Sequence, residues 1–176
     1  MDLLDFEGQD LYFDEPLPKE VDALIEAASE EYGDPKAESS LMKAFLLAPD
    51  NLTVLVALYR YYYYQHQYQN ALIIASHALK FSGLRVNFPT DWRELNISHV
   101  GAGAIESMSM VRFYLLALKA AAYINLRLLN FETAQEMLLK IIELDSSDRL
   151  GATALLAVAQ EHLQNSGNTK LSAQSA

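Results

Sequence analysis

The chain lacks cysteine altogether and is poor in chain breakers, with seven glycines and five prolines among 176 residues. Without a thiol there is no disulfide framework, thiolate metal site, c-type haem attachment or thiol catalysis to consider. Basic residues are also scarce: 13 Lys and Arg face 23 Asp and Glu, a formal net charge of −10 at pH 7. Nucleic acid is therefore not an expected main partner, because phosphate binding draws its affinity from clustered cations. No apolar run approaches about 18 residues without a polar interruption, so no membrane span is expected. The start, MDLLDFEGQDLYFDEP, carries six acids and no base, the reverse of a signal or transit peptide. A cytoplasmic location follows as the expectation. On that reading Asn51-Leu52-Thr53 and Asn96-Ile97-Ser98 are chance matches to a glycosylation sequon.

What is present is apolar and helix-forming: 51% hydrophobic residues in long Ala/Leu-rich stretches, which predicts an all-α chain. An internal repeat organises it. Pro18 to Asn51 aligns without a gap on Leu52 to Arg85, a period of 34. Val21 falls on Leu55, Leu24 on Leu58, Ala28 on Tyr62, Ala37 on Ala71, Leu41 on Ala75 and Ala44 on Ala78. A third copy, 115–148, repeats the pattern with Leu118, Ala121, Ala122, Phe131, Ala134, Leu138 and Ile141. Each copy reads as two helices joined by a short turn, which forces antiparallel neighbours, and Gly33-Asp34-Pro35 and Ala48-Pro49-Asp50-Asn51 mark breaks. A small residue at the start of each second helix (Ala37, Ala71, Ala134) lets the two backbones approach closely.

This period and pattern resemble the tetratricopeptide repeat family. The second copy matches best, through Leu55, Leu58, Tyr62, Tyr68, Ala71, Ala75 and Ala78. It departs from the pattern at Tyr59, where the family has a small residue, and at Gly83, where the first copy keeps the closing Pro49; the third copy has Ser146 there. The resemblance implies a TPR-like α-solenoid, a right-handed superhelix of antiparallel helix pairs. The expected organisation is an acidic tail over 1–17, one helical domain over 18–164 and a disordered tail over 165–176. An insertion of about 81–114 separates the second and third copies. Its first part, with Phe81, Phe88 and Trp92, predicts a packed loop and a short helix after Thr90. From about Ala104, the spacing of Ile105, Met108, Val111 and Leu115 predicts a backward extension of the next helix. Residues 148–164, with Thr153, Gln160, Glu161 and Gln164 on a polar face, predict the terminal cap that a stack of repeats requires.

Catalytic patterns are few. His66, His77, His99 and His162 never pair at the spacing that puts two ligands on one helix face, so no metal or other cofactor is expected. Gly101-Ala102-Gly103 begins like a dinucleotide fingerprint but ends in Glu106 and follows no strand. Carboxylates such as Glu30-Glu31 and Asp145-Asp148 fall at helix ends. A non-enzymatic protein is the expectation, with an enzyme using the insertion as a lid as the alternative from a different class.

Ala57 to Tyr68 holds six of the ten tyrosines. At 100° per residue Leu55, Leu58 and Tyr62 share a core face, Val56, Arg60, Tyr63, Tyr64 and Gln67 lie opposite, and Tyr59 and Tyr61 flank both. In tetratricopeptide proteins the first helices of successive repeats line a concave groove for protein segments. The resemblance then implies that Arg60, Tyr63 and Tyr64 face that groove, with Lys119, Tyr123 and Arg127 from the third copy and Asp22, Glu26 and Ser29 from the first. Cations and tyrosines together suit a partner segment bearing carboxylates and apolar or aromatic anchors. The clamp by which one subclass of the family holds chaperone C-termini is missing: Asp22, Glu26, Leu116 and Ala120 stand where it needs Lys, Asn and basic residues. The acidic, aromatic N-terminal segment is itself complementary to the groove, in its own chain or, as a homodimer, in a neighbour's. A second reading is a dedicated assembly factor. Size, acidity and repeat number resemble the translocator chaperones of type III secretion, while LTVLVALYRYYYYQHQ and DWRELN resemble small repeat proteins beside bacterial nitrogen-fixation genes.

Overall fold

The computed structural model describes residues 16–174, with side chains described as far as Asn165. Among them are seven α-helices, one 3₁₀ turn and no strand. In order these are α1 (Lys19–Glu30), α2 (Pro35–Leu47), α3 (Leu52–Tyr64), α4 (Tyr68–Arg85), the 3₁₀ turn Trp92–Glu94, α5 (Ile97–Arg127), α6 (Phe131–Leu144) and α7 (Ala152–Gln174). Each helix packs mainly on its neighbours in the chain, and the α2–α3 interface is the thinnest of these.

Local chemistry explains the boundaries. Asp34 accepts from the Lys36 amide at 2.9 Å ahead of Pro35, and Asn51 accepts from the Val54 amide at 3.2 Å, each satisfying a donor that a helix start leaves unpaired. The α3–α4 and α5–α6 turns are built alike. Gln67 N–H reaches back to the Tyr62 carbonyl at 2.8 Å, and Asn130 N–H reaches back to the Asn125 carbonyl at 2.9 Å. The residue before each donor, His66 (φ 57°) or Leu129 (φ 62°), is left-handed, as a Schellman closure demands. These turns are 63 residues apart, the offset that superposes the second copy on the third.

The aligned positions are buried together. Ala37, Ala71 and Ala134 are each 0% exposed, and Leu55, Leu58, Ala75, Ala78, Leu118, Ala121, Leu138 and Ile141 are likewise sealed. Where the second copy has Tyr62 the third has Asn125, which is buried, donates to the Ala121 carbonyl at 2.9 Å and accepts from Asn130 at 3.1 Å. A polar side chain survives there because its amide is bonded on both sides.

The insertion is a packed layer. Phe88 meets Tyr114 edge-on at 4.9 Å, Arg93 lies over the Trp92 ring at 4.3 Å and pairs with Glu136 of α6 at 2.8 Å, and Lys140 of α6 donates to the Leu95 carbonyl at 3.0 Å. The segment after Thr90 is a single 3₁₀ turn, Trp92–Glu94. The helix then starts at Ile97, earlier than Ala104, and breaks at Ser107 (φ −159°, ψ 100°). There the Ser107 hydroxyl accepts from the Met110 amide at 3.2 Å and so caps the second piece of α5. Because of this break Ile105 and Met108 do not continue the core stripe of Val111 and Leu115: they are 89% and 49% exposed, whereas Val111 and Leu115 are buried.

The backbone of α7 runs past Gln164 as far as Gln174; no proline interrupts it, and each added residue gains one backbone bond. One further expectation is corrected: α3 does not have one core face. Val56, Tyr59 and Tyr61 are buried along with Leu55, Leu58 and Tyr62, because α2 and α4 flank α3 and the tyrosines fill the spaces between helices. No helix is long and apolar enough to cross a membrane among the residues described.

Candidate functional site

Tyr63 and Tyr64 end α3, Tyr68 begins α4, and Tyr123 and Arg127 lie in the last turns of α5. Helix ends meeting at one level bring these side chains together. Tyr63 is the hub: its ring lies 5.4 Å from that of Tyr64, 5.6 Å from Tyr68 and 5.7 Å from Tyr123, and the Tyr63 and Tyr123 hydroxyls are 3.3 Å apart. All four tyrosines are half-buried and Arg127 is exposed. The rings therefore form a contiguous half-buried amphipathic cluster, in which the Tyr63 and Tyr123 hydroxyls are tied to one another.

Arg127 covers one side of it. Its guanidinium sits 5.1 Å from the Tyr68 ring centre, and its Nε and Nη2 donate to the Tyr68 oxygen at 3.2 and 2.6 Å. The Tyr68 hydroxyl also shares a hydrogen bond with His66 Nδ1, 2.9 Å away. One copy on, His162 stacks on Phe131, the counterpart of Tyr68, at 4.5 Å. The bonds to Tyr68 raise the Arg127 pKa, and burial followed by the Tyr123 hydrogen bond raises that of Tyr63. Both groups keep their ordinary charge over the whole neutral range.

Arg60, half-exposed, is close enough to Tyr59 and Tyr32 to lower their pKa values, but burial outweighs it and holds Tyr59 up at about 12. The Tyr64 hydroxyl is buried and has no hydrogen-bond partner among the described residues. From the first copy Asp22, Glu26 and Ser29 are all exposed.

Lys119 is the exception among the six candidate residues. It is 4% exposed, its ammonium donates to the Leu150 carbonyl, and burial lowers its pKa against the opposing pull of the Asp148 carboxylate. Asp148 is occupied in turn by the first amides of α7, accepting from Ala152 at 2.7 Å and Thr153 at 3.2 Å. Lys119 thus ties α5 to the turn before α7. With an offset of 63, Lys119 corresponds to Val56, which lies opposite the core face on the helix wheel yet is itself only 4% exposed, whereas the counterpart of Arg60 is Tyr123. Tyr68 and His66 were missed because helix angles were counted along α3 alone, and both lie beyond its end.

The remaining polar groups do not gather into a second constellation. Among the described residues no three His, Asp or Glu side chains come together as metal ligands would. His77 lies between Phe45 and Phe81, with ring centres 6.3 and 6.4 Å away. Gly103 admits the Phe88 ring where a Cβ would stand 2.7 Å from it, a packing reason for the Gly101-Ala102-Gly103 run. The acidic residues of the N-terminal tail lie outside the described residues.

No family model matches the chain, and no solved structure matches it. Among curated proteins it is similar to the "Uncharacterized 19.8 kDa protein in nifW 5'region" of Azotobacter chroococcum mcd 1. The two are 51% identical over 162 residues, which span 92% of this chain and 90% of that one. With that identity over nearly the full length of both, the chain belongs to one family with the 19.8 kDa nifW-region protein.

Proposed function

We propose that the protein is a non-enzymatic scaffold of the tetratricopeptide type, which holds a partner protein's segment across the face formed by Tyr63, Tyr64, Tyr68, Tyr123 and Arg127. The observation that carries this reading is the convergence of four half-buried tyrosines and an exposed arginine from three helices. Rigid aromatic surface beside a guanidinium is the composition of binding hot spots, since it offers large contact area with little side-chain entropy to lose. It suits a segment with carboxylates for Arg127 and Arg60 and apolar or aromatic anchors for the rings. The equivalent burial of the aligned positions and the twin turns support the repeat architecture. The relative's location favours one version of this reading, in which the scaffold serves as an accessory factor for proteins of nitrogen fixation in a bacterial cytoplasm.

Capture from a nitrogen-fixing host, comparing wild type with an Arg127→Ala, Tyr123→Ala double variant that keeps its helical circular dichroism, tests both parts. The reading expects defined proteins held by wild type and released by the variant, with nitrogen-fixation proteins among them. Equal capture by the two forms would refute the face as the binding site. Loss of unrelated proteins would keep the scaffold and discard the nitrogen-fixation assignment.

A further inference from the structure

We propose that the N-terminal segment, residues 1–15, is a ligand in cis for the tyrosine–arginine face, so that an outside partner binds by displacing it. This rests on the reading of that face as a peptide-binding surface, and it adds regulation to it.

Two observations converge. The first is reach. The described chain enters at Pro16, and Leu17 packs with the cluster of Val21, Ala44 and Val54, which anchors the segment's end near the start of α3. From Val54 to Tyr63 along α3 is about 14 Å at 1.5 Å per residue. Fifteen extended residues span up to about 50 Å, so the segment is long enough to reach the face.

The second is chemistry. The segment carries Asp2, Asp5, Glu7, Asp10, Asp14 and Glu15 and no basic residue, with Phe6, Tyr12 and Phe13 interleaved. In a chain of net charge −10 most surfaces repel such a segment, whereas Arg60 and Arg127 attract it and the tyrosine rings offer its aromatics edge and face contacts.

Connection in cis decides the occupant. A short tether presents the segment at an effective concentration in the millimolar range, far above any free copy of it at micromolar protein. The face is therefore self-occupied, and only a partner segment of similar chemistry but tighter fit displaces the resident one.

The absence of cysteine makes the test direct. In the full chain, a nitroxide on Gln9→Cys is expected to broaden the amide resonances of Tyr63, Tyr123 and Arg127, and 1 M salt or Arg127→Ala is expected to remove the effect. A fluorescent peptide of residues 1–15 is then titrated against the wild-type chain and against a full-length chain whose six segment acids are changed to their amides. Roughly tenfold tighter binding to the neutralised chain is expected, because its resident competitor is weakened. Equal, measurable binding to both chains, with no broadening, overturns docking in cis while leaving the peptide-binding face in place. No binding to either chain and no broadening overturns the segment as a ligand of this face, and the capture experiment above decides the face itself. Broadening centred on another surface overturns the assignment to this face.

Discussion

Two glycines in the first piece of α5 carry opposite expectations. Gly101 has nothing within 4 Å of an added Cβ, whereas at Gly103 the Cβ would lie 2.7 Å from the buried Phe88 ring. Gly101→Ala is expected to stabilise the protein by up to about 1 kcal/mol through helix propensity alone. Gly103→Ala gains the same propensity but overpacks the Phe88 contact, and a net loss of about 1–3 kcal/mol is expected in urea denaturation. The tyrosines divide in a similar way. Tyr62 is 6% exposed and its hydroxyl points to the Met42 sulfur at 3.4 Å, so Tyr62→Ala is expected to cost about 3–5 kcal/mol. Tyr123→Phe removes only the hydroxyl that meets Tyr63, with an expected loss of about 0.5–1.5 kcal/mol. If Tyr123→Phe unfolds the chain, the ring surface is a core and the binding reading fails.

At the scale of elements, the sequence displayed helices more clearly than their surroundings. Periodicity and breakers located the helix pairs because caps such as Asp34 and Asn51 and turns at His66 and Leu129 are local devices. The burial of Val56 and Tyr59 was not legible, because a wheel counts angles within one helix and cannot include the neighbours that wrap it. The break at Ser107 escaped for a related reason. An apolar spacing that runs from Ile105 to Leu115 reads as one stripe, while the backbone turns out between them and exposes Ile105. Of the six candidate residues, Tyr63, Tyr123 and Arg127 were legible as neighbours from the repeat register, but the burial of Lys119 was not, because its counterpart Val56 falls on the non-core side of the wheel and is covered only by neighbouring helices. Ser107→Ala removes the cap on the second piece of α5, and a loss of about 1 kcal/mol is expected, with faster amide exchange at Met108 to Val111 as the local readout.

At the scale of the molecule, burial of phenols sets an alkaline limit. Tyr59, Tyr62 and Tyr114 are each held near 12 chiefly by desolvation, against an ordinary value of 10.0. Their unfolded counterparts ionise first, so this stability is complete below pH 10 and is lost as pH rises from 10 toward 12. Lys119 acts in the opposite sense: its lowered pKa means that the buried charge is relieved before pH 10.5, which adds a slight gain in stability ahead of the loss. A late phase of tyrosinate absorbance that coincides with loss of helical circular dichroism above pH 10 is the expected observation. Tyrosinate absorbance that is complete before helix is lost would contradict it.

The packing of each helix on its neighbours, with the thinnest join between α2 and α3, bears on cooperativity. In such a linear ladder of interfaces, opening one join does not cancel the others. The α1–α2 hairpin is joined to the rest by Val21, Ala44 and Val54, by Ala28 and Leu41 in the main core, and by the contacts of Tyr32 with Tyr61, Met42 with Tyr62 and Phe45 with His77, and it should detach as a unit while α5, α6 and α7 stay folded. Thermal unfolding is then not two-state: the calorimetric enthalpy should exceed the van't Hoff value, and amides of α1 and α2 should exchange before those of α5. A chain that melts from its N-terminal end would release α1 and α2, as far as Leu47, at temperatures where the tyrosine surface is still intact.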